Sequence, residues 1–465
     1  MPLPGLHRLS LCLLVGLVMA MPVRAEERVP QSASEITLSF APLVREAAPA
    51  VVNIYASRII ERRSPFADDP FFGNFFRDFA PSRPRVQNSL GSGVILSADG
   101  IVVSNYHVVG EAQDIRVVLN DRREFRARVL LGDEESDLAI LKLEEATDMP
   151  FLPLRSGDPV EVGELVLAIG NPFGVGQTVS SGIVSGLARS GTATGNARGY
   201  FIQTDAPINP GNSGGALIDT RGRLIGVNTS ILSRSGGSNG IGFAIPAALV
   251  AQFVRQAEAG ADRFTRPWAG LTGQPVDQDL SDSLGRSRPS GILIADVHPL
   301  SPFAAAGIEV GDVIEAADGA PVNTPSEMIY HMSVRGIGAE MQVRVMRGET
   351  VRDVPVTLIA APETPPRDTV SLGEMSVLPG LVVSRINPAL GEEMSLDPRA
   401  EGMIVVDPGP WGARAGLRRG DILRAINGRA PERPADVAPL LQRAAPGIQI
   451  DILRGTRRLA VRFRA

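Results

Sequence analysis

The chain has 465 residues, enough for about three domains at roughly 150 residues each. Hydrophobic residues make up 44% and charged residues 21%, and the formal net charge of −5 argues against a nucleic-acid binder, which would carry a strong basic patch. The single cysteine, Cys12, excludes an internal disulfide and cysteine-cluster metal sites, and four histidines (His7, His107, His298 and His331) leave few imidazoles for catalysis.

At the start, His7 and Arg8 precede an apolar run from Leu9 to Met21. That run is shorter than the ~20 residues needed to span a bilayer. Val23-Arg24-Ala25 and the acidic Glu26-Glu27 follow it. A basic start, a short apolar run and a small-residue exit describe a secretory signal peptide over residues 1–25, cut after Ala25. The alternative is a buried N-terminal helix or an uncleaved anchor. An exported chain cut there is thiol-free, and in a bacterium it resides in the periplasm.

Between Phe66 and Phe79 lie six of the chain's 16 phenylalanines, mixed with Asp68, Asp69, Arg77 and Asp78. Such a cluster is poor strand material. It fits a surface hairpin folded on its own rings, or a loop that docks on a neighbouring subunit or the active site.

From Val51 to Ile245 short apolar runs alternate with turns such as Asp99-Gly100 and Arg221-Gly222-Arg223. The runs Gly93–Leu96, Ile101–Ser104, Asp114–Leu119, Leu138–Leu143, Leu165–Ile169 and Leu224–Asn228 predict strands. Regular strands without alternating helices predict antiparallel barrels or sandwiches. Pro246 then opens a helix to about Ala259, with Leu249, Val250 and Phe253 near helical spacing, and this ends the domain.

The remainder contains an internal repeat. Ala306-Gly307-Ile308, Gly311-Asp312-Val313-Ile314 and Gly319 return as Ala415-Gly416-Leu417, Gly420-Asp421-Ile422-Leu423 and Gly428. The polar, Pro-rich run Ala361–Asp368 between the copies predicts a linker. The expected boundaries are 26–259, 260–360 and 373–465, with the linker at 361–372.

Gly211-Asn212-Ser213-Gly214-Gly215 sets a serine in a tight turn where backbone N–H groups can converge on an oxyanion. A serine hydroxyl needs an adjacent base. His107, after Ser104-Asn105-Tyr106 and at the end of a predicted strand, is the only imidazole between Val51 and Ala259. Asp137, at the entry to the run Leu138–Leu143, is placed to accept the Nδ1–H of His107. Read separately, the glycine-flanked serine fits an ordinary turn, the histidine a structural residue and the aspartate a turn cap. Together, the order His, Asp, Ser is that of the chymotrypsin-type triad. A Ser–Lys dyad would require Lys142, which leads into Glu144-Glu145 and reads better as solvated. There is no HExxH spacing, and neither a metal nor a cofactor is expected.

The motifs Leu90-Gly91-Ser92-Gly93-Val94-Ile95-Leu96, Asn105-Tyr106-His107-Val108-Val109, Ser136-Asp137-Leu138-Ala139 and Gly211-Asn212-Ser213-Gly214-Gly215 resemble the HtrA family of serine proteases. The repeated Ala-Gly-Ile/Leu and Gly-Asp motif resembles the PDZ domains of that family. Two copies and a cleavable signal are similar to its periplasmic Do-type branch (DegP/DegQ). The resemblance implies a mostly β chain, with a chymotrypsin-like double β-barrel protease domain followed by two PDZ domains. It implies that Ser213 attacks the peptide carbonyl, His107 carries the proton and Asp137 orients His107. The N–H groups of Gly211, Asn212 and Ser213 would form the oxyanion hole. In this family that turn switches between inactive and active shapes.

The same resemblance implies an S1 pocket walled by the segment before the serine, with Pro207 and Ile208, and by Ile241, Gly242 and Phe243. Pro207, six residues before Ser213, is not an acid, so cleavage after small aliphatic residues is expected rather than after Arg or Lys. Ala269-Gly270-Leu271 matches the loop that holds a bound C-terminus in the first PDZ domain, and Gly380-Leu381 matches it less closely in the second. The implied partners are unfolded or misfolded proteins and peptide C-termini. The implied assembly is a trimer that enlarges to cages, with no nucleic acid. The implied activity is ATP-independent proteolysis of misfolded exported proteins, with chaperone binding of unfolded chains or cleavage of one signalling substrate as the competing functions.

Overall fold

The computed structural model describes residues 39–60, 85–171, 176–191, 196–209, 211–231 and 240–464. The expected signal peptide and the phenylalanine-rich stretch 66–79 lie outside them.

Six antiparallel strands close the first barrel: β1 (Val51–Ile60), β2 (Arg85–Ile95), β3 (Ile101–Ser104), β4 (Asp114–Val118), β5 (Glu124–Asp133) and β6 (Leu138–Leu143), in the order β1-β2-β3-β6-β5-β4. The sequence of β4 shows why. Ile115 and Val117 point inward while Asp114 and Arg116 stay exposed, the period of two that a half-buried strand requires. Val52, Ile54, Ile95, Val102 and Leu141 fill the interior. Each such side chain contributes about 1.5–3 kcal/mol of transfer free energy.

The second barrel closes as β10-β11-β12-β9-β8-β7, from β7 (Leu165–Gly170), β8 (Thr178–Gly191), β9 (Asn196–Thr204), β10 (Ala216–Asp219), β11 (Leu224–Ile231) and β12 (Gly242–Pro246). Val166, Ala168, Val184, Ile202 and Leu217 form its core. This is the expected double barrel. A helix over Ala247–Glu258 follows, burying Leu249, Val250 and Phe253. Phe253 stacks on Phe264 at 3.9 Å between ring centroids.

Two further antiparallel sheets complete the chain. The first contains β13 (Leu271–Pro275), β14 (Ile292–Val297), β15 (Val313–Ala317), β16 (Ala320–Pro321), β17 (Glu340–Arg347) and β18 (Thr350–Thr357), ordered β13-β14-β15-β17-β18 with β16 on β15. The second contains β19 (Val370–Ser371), β20 (Val382–Arg385), β21 (Met403–Asp407), β22 (Ile422–Ile426), β23 (Gly447–Arg454) and β24 (Arg457–Arg464), in that order. Matching pairs of strands shows that β20 corresponds to β13 and that β19 is an addition at the edge.

The repeated Gly-Asp motif has a physical cause. Asp312 accepts from the Glu309 N–H at 2.9 Å and from Arg347 at 2.6 and 2.8 Å, and Arg347 also donates to Gly307 O. Asp421 repeats this with the Arg418 N–H at 2.8 Å and Arg454 at 2.7 and 2.8 Å, and Arg454 donates to Gly416 O. Burial pushes the Asp312 carboxyl up, but the Arg347 guanidinium and the Glu309 N–H outweigh it and hold it below the usual carboxylate range.

The segment 361–372, expected to be a linker, is only partly one. Val370–Ser371 is a strand and Leu372 is buried in the second repeat. Asn387 donates to Glu363 Oε2 and Pro365 O, both at 2.8 Å, tying even the Pro-rich part to that domain. The Pro-rich composition ends at Asp368, and the alternating Thr369-Val370-Ser371-Leu372 is strand material.

The first repeat docks on the second barrel. Its helix Pro325–Arg335 places Tyr330 flat on Tyr200, with centroids 3.7 Å apart and planes within 3°. Arg266, just before the repeat, bonds Asp133 and Ser136 at 2.5 and 2.6 Å and lies 3.3 Å from Glu135. Among the described residues no helix is long and apolar enough to cross a membrane.

Candidate active site

His107 does not end a strand, as the sequence had suggested. It sits in a single helical turn, Tyr106–Val109, directly after β3. Asn105 precedes that turn and its amide donates to Asp137 O at 3.0 Å, while the Tyr106 N–H donates to the same carbonyl at 3.2 Å. The turn is therefore fastened to the backbone of Asp137, at the entry to β6. Asp137 adopts a left-handed φ of 53°, a conformation that Asp tolerates better than bulkier residues.

This brings the two side chains together. His107 Nδ1 lies 2.9 Å from both Asp137 carboxylate oxygens, and the His107 N–H donates to Oδ1 at 3.0 Å. The Thr229 hydroxyl of β11 donates to Oδ2 at 2.6 Å. Three donors thus converge on one carboxylate and fix its plane, and with it the imidazole ring. Thr229 was not a sequence candidate, because one threonine within an apolar strand leaves no pattern to read.

Ser213 precedes β10, between Gly211 at φ 96° and Gly214 at φ 83°. A Cβ on Gly214 would lie 2.1 Å from Ser92 O, so glycine is required there for space as well as dihedral. The Ser213 hydroxyl donates to Thr229 O at 2.9 Å. Thr229 therefore touches both Ser213, through its carbonyl, and Asp137, through its hydroxyl.

Ser92 of β2 is the second residue that the sequence quoted without a role. It is fully buried. Its N–H donates to Ser213 O at 2.9 Å and its hydroxyl donates to Gly211 O at 2.6 Å. The hydroxyl also accepts the Asn171 N–H at 2.8 Å. One side chain of the first barrel thereby holds the serine turn of the second.

The expected oxyanion donors differ from one another. The Asn212 N–H donates to Asn209 O at 3.0 Å, and its side-chain oxygen accepts from Thr178 Oγ1 at 2.9 Å. Among the described residues the Gly211 and Ser213 N–H groups donate to no protein acceptor.

Of the expected pocket residues, Pro207 is exposed and its carbonyl accepts from Ser180 Oγ at 2.7 Å. Ile208 is buried to 1% exposure and packs against Gly242, where a Cβ would meet its Cδ1 at 2.8 Å. Phe243 is buried, edge-on to Phe201, and Ile241 is half-buried. No charged side chain occurs among these five residues. Beside His107 a cleft of about 540 Å³ opens, lined among others by Arg58, Ser89, Tyr106, Glu111 and Glu134.

In the first repeat, Ser301 donates to Ala269 O at 2.5 Å and the His298 N–H donates to Gly270 O at 2.7 Å. With its carbonyls so engaged and Gly270 at φ 61°, the loop leaves the Ala269 and Gly270 N–H groups without a protein acceptor among the described residues. Leu271 begins the edge strand β13.

A family model described as a trypsin-like peptidase domain matches residues 91–227. Two PDZ domain models match residues 270–358 and 404–453. The chain is 38% identical to a probable periplasmic serine endoprotease, DegP-like, of Halomonas elongata, over 86% of this chain and 87% of that one. It is 34% identical to the periplasmic pH-dependent serine endoprotease DegQ of Escherichia coli, over 96% of each. Among solved structures it is similar to the HtrA-type protease AlgW with decapeptide, at 39% identity and a TM-score of 0.52, covering 70% of this chain and 99% of that one.

Proposed function

The chain belongs to the HtrA family of serine proteases, in its DegP/DegQ branch, and on that premise we propose that it is an exported endopeptidase of the periplasm that degrades misfolded proteins without ATP. The observation that carries the mechanism is the shared hold of Thr229 on Ser213 and Asp137, with His107 on the same carboxylate.

In this mechanism Ser213 Oγ leaves the Thr229 carbonyl, turns to His107 and gives it a proton while attacking the substrate carbonyl. Asp137 keeps Nδ1 protonated, so that Nε2 is the basic nitrogen. The oxyanion is received by the Gly211 and Ser213 N–H groups, with Asn212 kept as a brace by its bond to Asn209. His107 then protonates the leaving amine, and water repeats the sequence on the acyl-enzyme.

The close packing of Ile208 on Gly242 supports a shallow, uncharged S1 pocket that takes Val or Ala. A peptide library scanned at P1 tests this. Cleavage dominated by Val and Ala is expected, and comparable cutting after Arg would overturn it.

The first PDZ domain receives C-termini at Ala269-Gly270-Leu271, with the peptide added to the free edge of β13. The assembly is a trimer that enlarges to cages on substrate. Chaperone binding is a second reading, favoured by the serine hydroxyl resting on Thr229 instead of His107. It requires a Ser213→Ala chain to suppress aggregation of an unfolded client, and no suppression would remove it.

A further inference from the structure

The two PDZ domains differ at the place where a ligand strand would lie. In the first, β13 is the edge of the sheet. In the second, the corresponding strand β20 is covered by β19, antiparallel, with Val370 opposite Val383 and Ser371 opposite Val382. A peptide added to such an edge also runs antiparallel and ends at the glycine loop.

The match extends to individual groups. Gly380, like Gly270, has positive φ, at 79°. Its N–H donates to Leu372 O at 2.9 Å, whereas the Gly270 N–H has no protein acceptor among the described residues. The Leu372 N–H donates to Leu381 O at 2.9 Å, the rung that a ligand's last residue would form. The Leu372 side chain is 4% exposed and lies in the same core cluster as Leu381, Val437 and Leu441. Upstream, Thr369 Oγ1 is 2.7 Å from Ser384 Oγ.

We propose that Thr369-Val370-Ser371-Leu372 is a built-in ligand of the second PDZ domain, with the Leu372 carbonyl standing where a terminal carboxylate would bind and its side chain in the terminal-residue pocket. The second domain is therefore closed to external C-termini in the resting chain, and the first domain is the open receptor. A segment tethered this closely acts at an effective concentration of order millimolar. A competing peptide has its apparent Kd raised by the ratio of closed to open groove, on the order of 1000-fold for a segment that would bind at micromolar strength if free. The inference rests on the reading of these domains as receptors for C-termini.

The test uses the full chain in a Ser213→Ala background, so that the probe is not cut. The probe is the pentapeptide Asp-Thr-Val-Ser-Leu with a free carboxylate and an N-terminal benzophenone. Cross-links are mapped and backbone amide exchange is followed in parallel. In the parent chain, cross-links confined to residues 260–360 and a slowly exchanging Gly380 amide are expected. Leu372→Ser should add cross-links within 373–465, strengthen binding there at least tenfold and release the Gly380 amide.

Equal cross-linking of both domains in the parent, or fast exchange at Gly380, overturns the proposal. So does a folded Leu372→Ser domain that gains no second site. If that variant unfolds its domain, exchange at Gly380 in the parent decides. A probe that never labels 260–360 fails the receptor reading instead, and leaves the exchange result standing.

Discussion

At the scale of single residues, Thr229 carries two contacts at once, since its hydroxyl bonds the Asp137 carboxylate and its carbonyl holds the Ser213 hydroxyl. Replacing it with valine keeps the shape and removes only the hydroxyl. A hydrogen bond to a charged group contributes about 1.5–3 kcal/mol, so Thr229→Val should lower kcat roughly ten- to a hundredfold. KM should change little, because this hydroxyl is engaged by the Asp137 carboxylate. Steady-state kinetics on a Val-P1 peptide separates the two, and an unchanged kcat would show that His107 is oriented without it. Legibility at this scale was uneven. His107 stood out because no other imidazole lies in its domain, and Ser213 because glycines flank it. Thr229 and Ser92 act through hydrogen bonds across the junction of two barrels, and such contacts leave no local periodicity in the sequence.

At the scale of elements, the two repeats share a motif but not a packing. Ser301 caps the short helix Pro302–Ala305 by accepting from the Phe303 N–H at 3.0 Å, and Phe303 is fully buried. Its counterpart in the second copy, by the shared turn in which the Ile308 N–H bonds Phe303 O and the Leu417 N–H bonds Gly412 O, is Gly412, which has no side chain to bury. The neighbouring Trp411 is 53% exposed, with Arg414 5.5 Å above its ring. Phe303→Ala should therefore destabilise the first PDZ domain by about 3–5 kcal/mol. Trp411→Ala should stay within about 0.5 kcal/mol. Denaturant unfolding monitored domain by domain distinguishes them, and equal losses would mean that the repeats pack alike. The repeat itself was readable because Asp312 and Asp421 each need the same turn and the same arginine. The strand β19 was obscured by the Pro-rich run that abuts it, since four alternating residues are a short signal, and its pairing with β20 is what makes it plain.

At the scale of the whole molecule, the first PDZ domain is joined to the protease through Tyr330 on Tyr200, and His331 follows Tyr330 with its ring 5.5 Å away, edge-on. Burial lowers the affinity of His331 for a proton below its ordinary value near 6.5, and nearby Asp318, itself paired with Arg335 at 2.7 Å, opposes this only in part. The unfolded chain then binds the proton first. The stability that the neutral ring contributes is complete above pH 6.5 and declines as pH falls from there toward the lowered value. Melting temperature measured from pH 7.5 to 5.5 should fall less in His331→Gln than in the parent chain. Equal falls would place the pH response elsewhere. None of this docking was legible in the sequence, since two tyrosines in separate domains give no signal until the fold stacks them.

The proposed chemistry depends throughout on Ser213, activated by His107 and Asp137, performing the cleavage. The direct measurement is intact mass and casein hydrolysis after treatment with diisopropyl fluorophosphate, on the parent chain and on Ser213→Ala. The parent should gain one phosphoryl adduct per chain, mapped to Ser213, and lose hydrolysis in proportion. Ser213→Ala should take up no adduct and show at least a thousandfold lower rate before treatment. Casein digestion at equal rates by the two chains, or an adduct on another residue that tracks the loss of activity, would contradict the assignment.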